Sequence, residues 1–225
     1  MSSSASIIKQ TIIRFPELKL QTRDAHKLRG YFGNLFHRYS PLLHNHFEDG
    51  RLRYAYPLVQ YKVIDAIPML VGFREGADLL AELFLKINEL NINGIKYPIL
   101  SKHIDYRQVN LFPEGRLHRY TFKTLWMALN QENYRHYRQI NNSDEKKTLL
   151  NGILINNILS FYKGMNYWTD ERILALTHVS PKRTRFKNQP MLAFTGNFMT
   201  NALIPDYAGI GKSVARGFGT VIRIE

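Results

Sequence analysis

His44-Asn45-His46 sets two imidazoles one residue apart, in the polar stretch that follows a predicted helix. Arg51 and Arg53 come just behind, with Tyr54 and Tyr56 beside them. An unperturbed histidine titrates near ~6.5, so it can give or take a proton around neutrality. Two imidazoles and a nearby cation match the needs of one reaction, the attack of a ribose 2′-hydroxyl on the adjacent phosphorus. A base takes the 2′-OH proton, an acid protonates the departing 5′-oxygen, and a cation stabilises the negative charge that develops. His46 is the first choice for this role and His44 its partner. His37, nine residues earlier, stands as an alternative base. The letters His-Asn-His do not make a metal-dependent HNH nuclease, whose ligands are dispersed. No set of three closely spaced His and carboxylate residues suggests a zinc or two-metal site.

The second chemical stretch runs Gly209-Ile210-Gly211-Lys212-Ser213-Val214-Ala215-Arg216-Gly217-Phe218-Gly219 and leads into Val221, Ile222 and Ile224, a predicted closing strand. Glycine permits positive φ and close backbone approach, and successive N–H groups in such turns form concave anion sites. Lys212 and Arg216 add full positive charge. Gly211-Lys212-Ser213 is not the end of a P-loop, because Asp206 stands where the first glycine of that motif belongs. Upstream, Arg183, Arg185 and Lys187 would share one face of a strand, where side chains alternate with period two. Such a face can follow a phosphate backbone.

The pattern Gly-Ile-Gly, five residues, Gly-Phe-Gly resembles the signature loop of the CRISPR-associated RAMP proteins. More narrowly, it resembles the sixth Cas family, endoribonucleases that cut CRISPR repeat transcripts into guide RNAs. The resemblance implies two ferredoxin-like (RRM-like) domains, metal-independent cleavage with no cofactor, and a loop that touches RNA without being catalytic. It also implies catalytic histidine after the first helix, which falls on His44 and His46. The family often adds a tyrosine and a lysine. Tyr54 is selected for the tyrosine, although no spacing separates it from Tyr56, Tyr61 and Lys62. The expected products are a 2′,3′-cyclic phosphate and a 5′-hydroxyl. A noncatalytic RAMP-like subunit, bound to guide RNA among other CRISPR effector subunits, is the alternative. A sequence-tolerant single-strand RNA-binding module is a third reading.

Composition agrees with an anionic partner. Across 225 residues Lys and Arg total 31 against 18 Asp and Glu, a net charge of +13. From Thr177 to Arg223 the basic residues are Lys182, Arg183, Arg185, Lys187, Lys212, Arg216 and Arg223, against Asp206 alone. Thirteen Tyr and thirteen Phe interleave stacking groups with that charge. Cysteine is absent, which excludes disulfides, thiolate metal sites and a cysteine nucleophile. No apolar run reaches the ~18 residues of a membrane span, and no signal peptide is evident, so a cytoplasmic protein without membrane contact is expected. Monomer and homodimer both stay open.

The elements that must hold these residues read as α+β. Strands are predicted over 7–15, 51–65, 68–73 and 96–105. Helices are predicted over 24–38, with Thr22 as N-cap, and over 75–90. That order gives a ferredoxin-like domain with an antiparallel sheet over residues 1–112. A second such domain, 113–225, would use a strand over 118–123 and helices over 126–140 and 144–163. Strands over 173–179, 184–188 and 191–198 would precede the glycine loop.

Overall fold

The computed structural model describes residues 6–35, 56–186 and 189–224. They form two units. One comprises Ile7–Val109 together with Val214–Gly217; the other takes in Asn110–Ser213 and resumes at Phe218.

In the first unit β1 (Ser6–Arg14), β2 (Val59–Ile64), β3 (Ile67–Phe73) and β6 (His103–Leu111) make one sheet, in the order β2-β3-β1-β6. β3 pairs antiparallel with both β1 and β2, Ile12 facing Val71 and Tyr61 facing Leu70. With α1 (Ala25–Leu35) after β1 and α2 (Glu75–Leu83) after β3, this is the ferredoxin-like order. Leu28 and Phe32 recur one turn apart on the buried side of α1. Phe32 lies between the rings of Phe15 and Tyr61, with centroids 6.4 and 5.9 Å away. Thr11 donates its hydroxyl to the Ala77 carbonyl at 2.8 Å, fastening α2 to the sheet.

Three expectations need correction here. Thr22 does not cap α1: it opens a 3-10 turn over Thr22–Asp24, whose Asp24 carboxylate accepts the Gln21 N–H at 3.0 Å, and α1 starts at Ala25. The second helix ends at Leu83 rather than Leu90, followed by a 3-10 turn over Phe84–Lys86. Leu90 instead sits in a hairpin, β4 (Glu89–Ile92) and β5 (Ile95–Pro98). Asn93 and Gly94, both at positive φ, make its two-residue turn. The strand expected over 96–105 is therefore split between β5 and β6.

The second unit repeats the topology. β7 (Pro113–Phe122), β8 (Ala175–Phe186), β9 (Gln189–Ala202) and β10 (Val221–Ile224) line up as β10-β7-β9-β8, antiparallel throughout. Relabelled by position within the unit, this is the same strand order as the first sheet. α4 (Ser143–Gly164) covers the sheet with Leu150, Ile153, Leu154, Ile158, Phe161 and Tyr162 buried. Asn151 on α4 accepts both the N–H and the hydroxyl of Thr177, each at 2.7 Å. Where the first unit places α2, this one runs from β9 to β10 through the glycine-rich segment.

The helix expected over 126–140 shrinks to α3 (Gln131–Gln139). Trp126 is drawn away because its N–H and C=O both bond the Phe194 backbone, at 2.8 and 2.9 Å. Asn130 then caps α3, accepting the Asn133 N–H at 2.6 Å. The separate strands expected over 173–179 and 184–188 are one strand, β8, paired with β9 at every position from Ala175 to Phe186. Pro181 is accommodated because β8 is the edge of the sheet.

Candidate nucleic-acid interface

His37, His44, His46 and Tyr54 fall between α1 and β2, outside the described residues, and Lys187, between β8 and β9, is outside them too. The flanking elements are described, and they sort the neighbours of that segment. Tyr61 is fully buried, and its burial pushes the phenol far above its usual range. It is a core ring rather than a solvent-facing acid. Lys62 is fully buried as well, and burial pushes its ammonium down to about 7. Tyr56 accepts a hydrogen bond from the Gln60 amide at 2.7 Å.

The glycine segment is built from tight backbone contacts. In the C-terminal unit Gly209 bridges to Thr220, Ile210 N–H donates to the Gly219 carbonyl at 2.8 Å, and Gly219 N–H donates to Leu125 at 2.9 Å. Lys212 N–H donates to the Met127 carbonyl at 3.2 Å. Gly219 has φ +61, and a Cβ there would lie 1.9 Å from the Ile210 oxygen. A Cβ on Gly211, at φ +102, would meet the Trp126 indole at 2.8 Å. These contacts demand glycine for packing, whatever else the loop binds. The amides of Ile210, Lys212, Gly217 and Gly219 are donated to protein carbonyls. Lys212, which is exposed, adds positive charge to this part of the loop, with its ammonium lowered by partial burial.

Val214–Gly217 belongs to the N-terminal unit. Val214–Arg216 forms a 3-10 turn, closed by Gly217 N–H donating to Val214 at 3.1 Å. A Cβ on Gly217 would lie 2.9 Å from that of Ala25 and 3.1 Å from the Tyr61 carbonyl, so the turn rests directly on α1 and β2. Arg29 follows Ala25 by one helical turn. It is half-buried, and its guanidinium is lowered first by that burial and then by the charge of Arg216. The turn that carries Arg216 and the helix that carries Arg29 thus pack against each other within this unit. Arg29 shares the region of the chain's first helix with the basic residues Arg23 and Lys27. Its meeting with Arg216, 187 positions later in the chain (216 − 29), had no local signal.

Arg183 and Arg185 pair with Leu192 and Pro190, are exposed, and share one face of β8. Because the register is unbroken, Lys182 takes the opposite face. Tyr120, Phe122 and Trp126 are core: Tyr120 and Trp126 are fully buried, and Phe122 stacks on Trp126 at 5.2 Å. Among the described residues no group of three or more His, Cys, Asp or Glu could hold a metal ion. No helix among them is long and apolar enough to cross a membrane.

Known proteins match both units. Residues 6–110 match the family model of the Cas6b N-terminal domain, and residues 113–224 that of the Cas6b C-terminal domain. A crystal structure of Cas6b is 32% identical, covers 97% of this chain and all of its own, and superposes with a TM-score of 0.92. The crystal structure of a CRISPR RNA processing endoribonuclease Cas6b is 30% identical over the same shares, with a TM-score of 0.78. The uncharacterized protein MJ0978 of Methanocaldococcus jannaschii is 35% identical over 147 residues, 65% of this chain and 99% of its own. With the double ferredoxin-like fold, the glycine segment and similarity along nearly its whole length, this chain belongs to the Cas6b family.

Proposed function

We propose that the chain is a CRISPR RNA processing endoribonuclease that cuts within the repeat without a metal ion. The observation that carries this reading is its 30% identity, over 97% of its length, to a Cas6b named for that activity. RNA is its partner, in keeping with the net charge of +13. The N-terminal domain, residues 1–112, supplies catalysis, and residues 113–225 supply most of the RNA grip. One of His46 and His44 takes the proton from the ribose 2′-hydroxyl. The 2′-oxygen attacks phosphorus, the P–O5′ bond breaks, and the other imidazole protonates the 5′-oxygen. A 2′,3′-cyclic phosphate and a 5′-hydroxyl result, with Tyr54 supporting the site. The segment Gly209, Gly211, Lys212, Arg216, Gly217 and Gly219 lies against the RNA. Arg183, Arg185 and Lys187 extend that surface along the hairpin, and Arg29 joins Arg216. The reaction takes place in the cytoplasm.

Repeat RNA incubated with the chain in excess EDTA tests the mechanism, using His44→Ala, His46→Ala, the double variant and a substrate with 2′-deoxy at the cut. Cleavage of all-ribose RNA only, lost in the double variant while binding persists, is the expected result. Cleavage that survives in the double variant overturns the histidine assignment and points to His37. Binding without cleavage in every variant, the natural chain included, overturns the enzyme reading in favour of a guide-binding subunit.

A further inference from the structure

α3 is a nine-residue helix with no buried residue. Most helices in folded proteins are held by an apolar face; this one is held by its ends and by one ring. Asn130 caps it, and Tyr137 places its edge on the ring of Phe194, centroids 5.6 Å apart and planes at 78°. The remaining side chains interleave aromatics with cations. Arg138 lies over the Tyr134 ring at 6.0 Å, and Lys146 from the first turns of α4 lies over Tyr137 at 5.2 Å. Tyr134 is 39% exposed, and Arg135 and Arg138 are exposed beside it. The carboxylates nearby, Glu132, Asp144 and Glu145, occupy the first turns of α3 and α4, where they complement the helix dipoles.

The register of the hairpin ties this helix to the cations of β8. Phe194, under Tyr137, pairs with Pro181. Arg183 and Arg185 follow Pro181 at steps of two, so they project from the face on which α3 rests, about 7 and 14 Å further along the strand. A ring half open to solvent, guanidiniums beside it and a row of cations continuing outward form the combination that single-stranded nucleic acid requires. Bases stack on the ring and phosphates follow the charge.

We propose that α3 and the adjoining face of the β8–β9 hairpin form a binding surface for single-stranded RNA, with a base stacked on Tyr134 and phosphates on Arg135, Arg138, Arg183 and Arg185. The surface lies in the C-terminal unit and serves RNA that continues beyond the segment being cut. This rests on the endoribonuclease reading above. The exposed Tyr134 ring with Arg138 over it favours RNA over an acidic protein, because ring and guanidinium present planes for stacking as well as charge.

The test uses the full chain and repeat RNA blocked by 2′-deoxy at the cut, alone or extended at either end by about ten uridines. Affinity is read by fluorescence anisotropy at several salt concentrations, and cleavage of unblocked repeat RNA is read in parallel. The natural chain should bind one of the extended RNAs more tightly than the repeat alone. Tyr134→Ala with Arg138→Ala should remove that gain, by about fivefold or more, and leave cleavage of the unextended repeat intact. Tyr134→Phe, which keeps the ring, should retain it. Equal binding of extended and unextended RNA by the natural chain overturns the α3 surface. So does an undiminished gain in the double variant, or displacement of the extended RNA by polyglutamate as effectively as by polyuridine. Failure of the natural chain to cut the repeat at all would overturn the endoribonuclease reading instead.

Discussion

Arg29 on α1 and Arg216 in the turn before Gly217 stand close enough that the charge of Arg216 disfavours the protonated form of Arg29. Burial of Arg29 acts in the same direction. An oxyanion placed beside both, as in the RNA contact proposed for Arg216, would favour their charged forms.

Replacing Arg29 separates these two effects. Arg29→Met should lower affinity for repeat RNA and reduce the salt dependence of binding by roughly one contact, a slope change of about 0.7 for single-stranded RNA. The melting temperature is read beside the affinity, so that a lost RNA contact is separated from lost packing. Calorimetry beside anisotropy titrations reads both. A fall in stability with unchanged RNA affinity would mean that Arg29 is only a packing residue.

Gly219 carries a second prediction. Its φ of +61 and the Ile210 oxygen, 1.9 Å from where a Cβ would sit, leave no room for alanine. Gly219→Ala should destabilise the C-terminal unit by about 1–3 kcal/mol and weaken RNA binding with it. Gly115→Ala, where a Cβ would meet nothing within 4 Å, serves as the control and should be neutral. Thermal melts of the two variants check this.

The two helices α2 and α4 were legible because their apolar positions recur with a helical period. Leu80 and Leu83 mark α2, and Leu150, Ile153, Leu154, Ile158 and Phe161 mark α4. What was not legible depends on contacts distant in sequence. Trp126 has helical neighbours in sequence, yet its backbone is claimed by Phe194, 68 positions on (194 − 126). The strands expected over 173–179 and 184–188 join into one because β8, an edge strand, accommodates Pro181 between them. In the glycine segment, spacing pointed to a special backbone, and the structure gives the reason: the Ile210 carbonyl, the Trp126 indole and the Ala25 methyl each press on a glycine. The pairing of Arg29 with Arg216 could not be read from either local stretch.

Asn151 offers a test of how α4 is fixed. Its carbonyl oxygen accepts both the N–H and the hydroxyl of Thr177, which is 2% exposed. Asn151→Ala leaves both donors without that acceptor and should cost about 1–3 kcal/mol. Asn151→Asp keeps an acceptor and should cost less. Chemical denaturation of the two variants decides between a polar anchor and a position where any small residue serves.

Lys62 gives the chain a stability that varies with pH. Burial lowers its ammonium from 10.5 to about 7 in the folded chain, while the unfolded chain keeps the ordinary value. Below about 7 both states hold the proton, and the folded state bears the cost of burying the charge. Between about 7 and 10.5 the unfolded state binds more protons than the folded one, so stability rises with pH across that window. Above 10.5 the dependence ends. Lys62→Met cannot titrate, so the difference in unfolding free energy between the two chains should move by several kcal/mol in favour of the natural chain as pH rises from 7 to 10. Denaturant titrations at each pH measure that difference. A constant offset would show that Lys62 keeps an ordinary pKa in the folded chain. A difference that moves in favour of Lys62→Met would show that the ammonium is held charged by its surroundings.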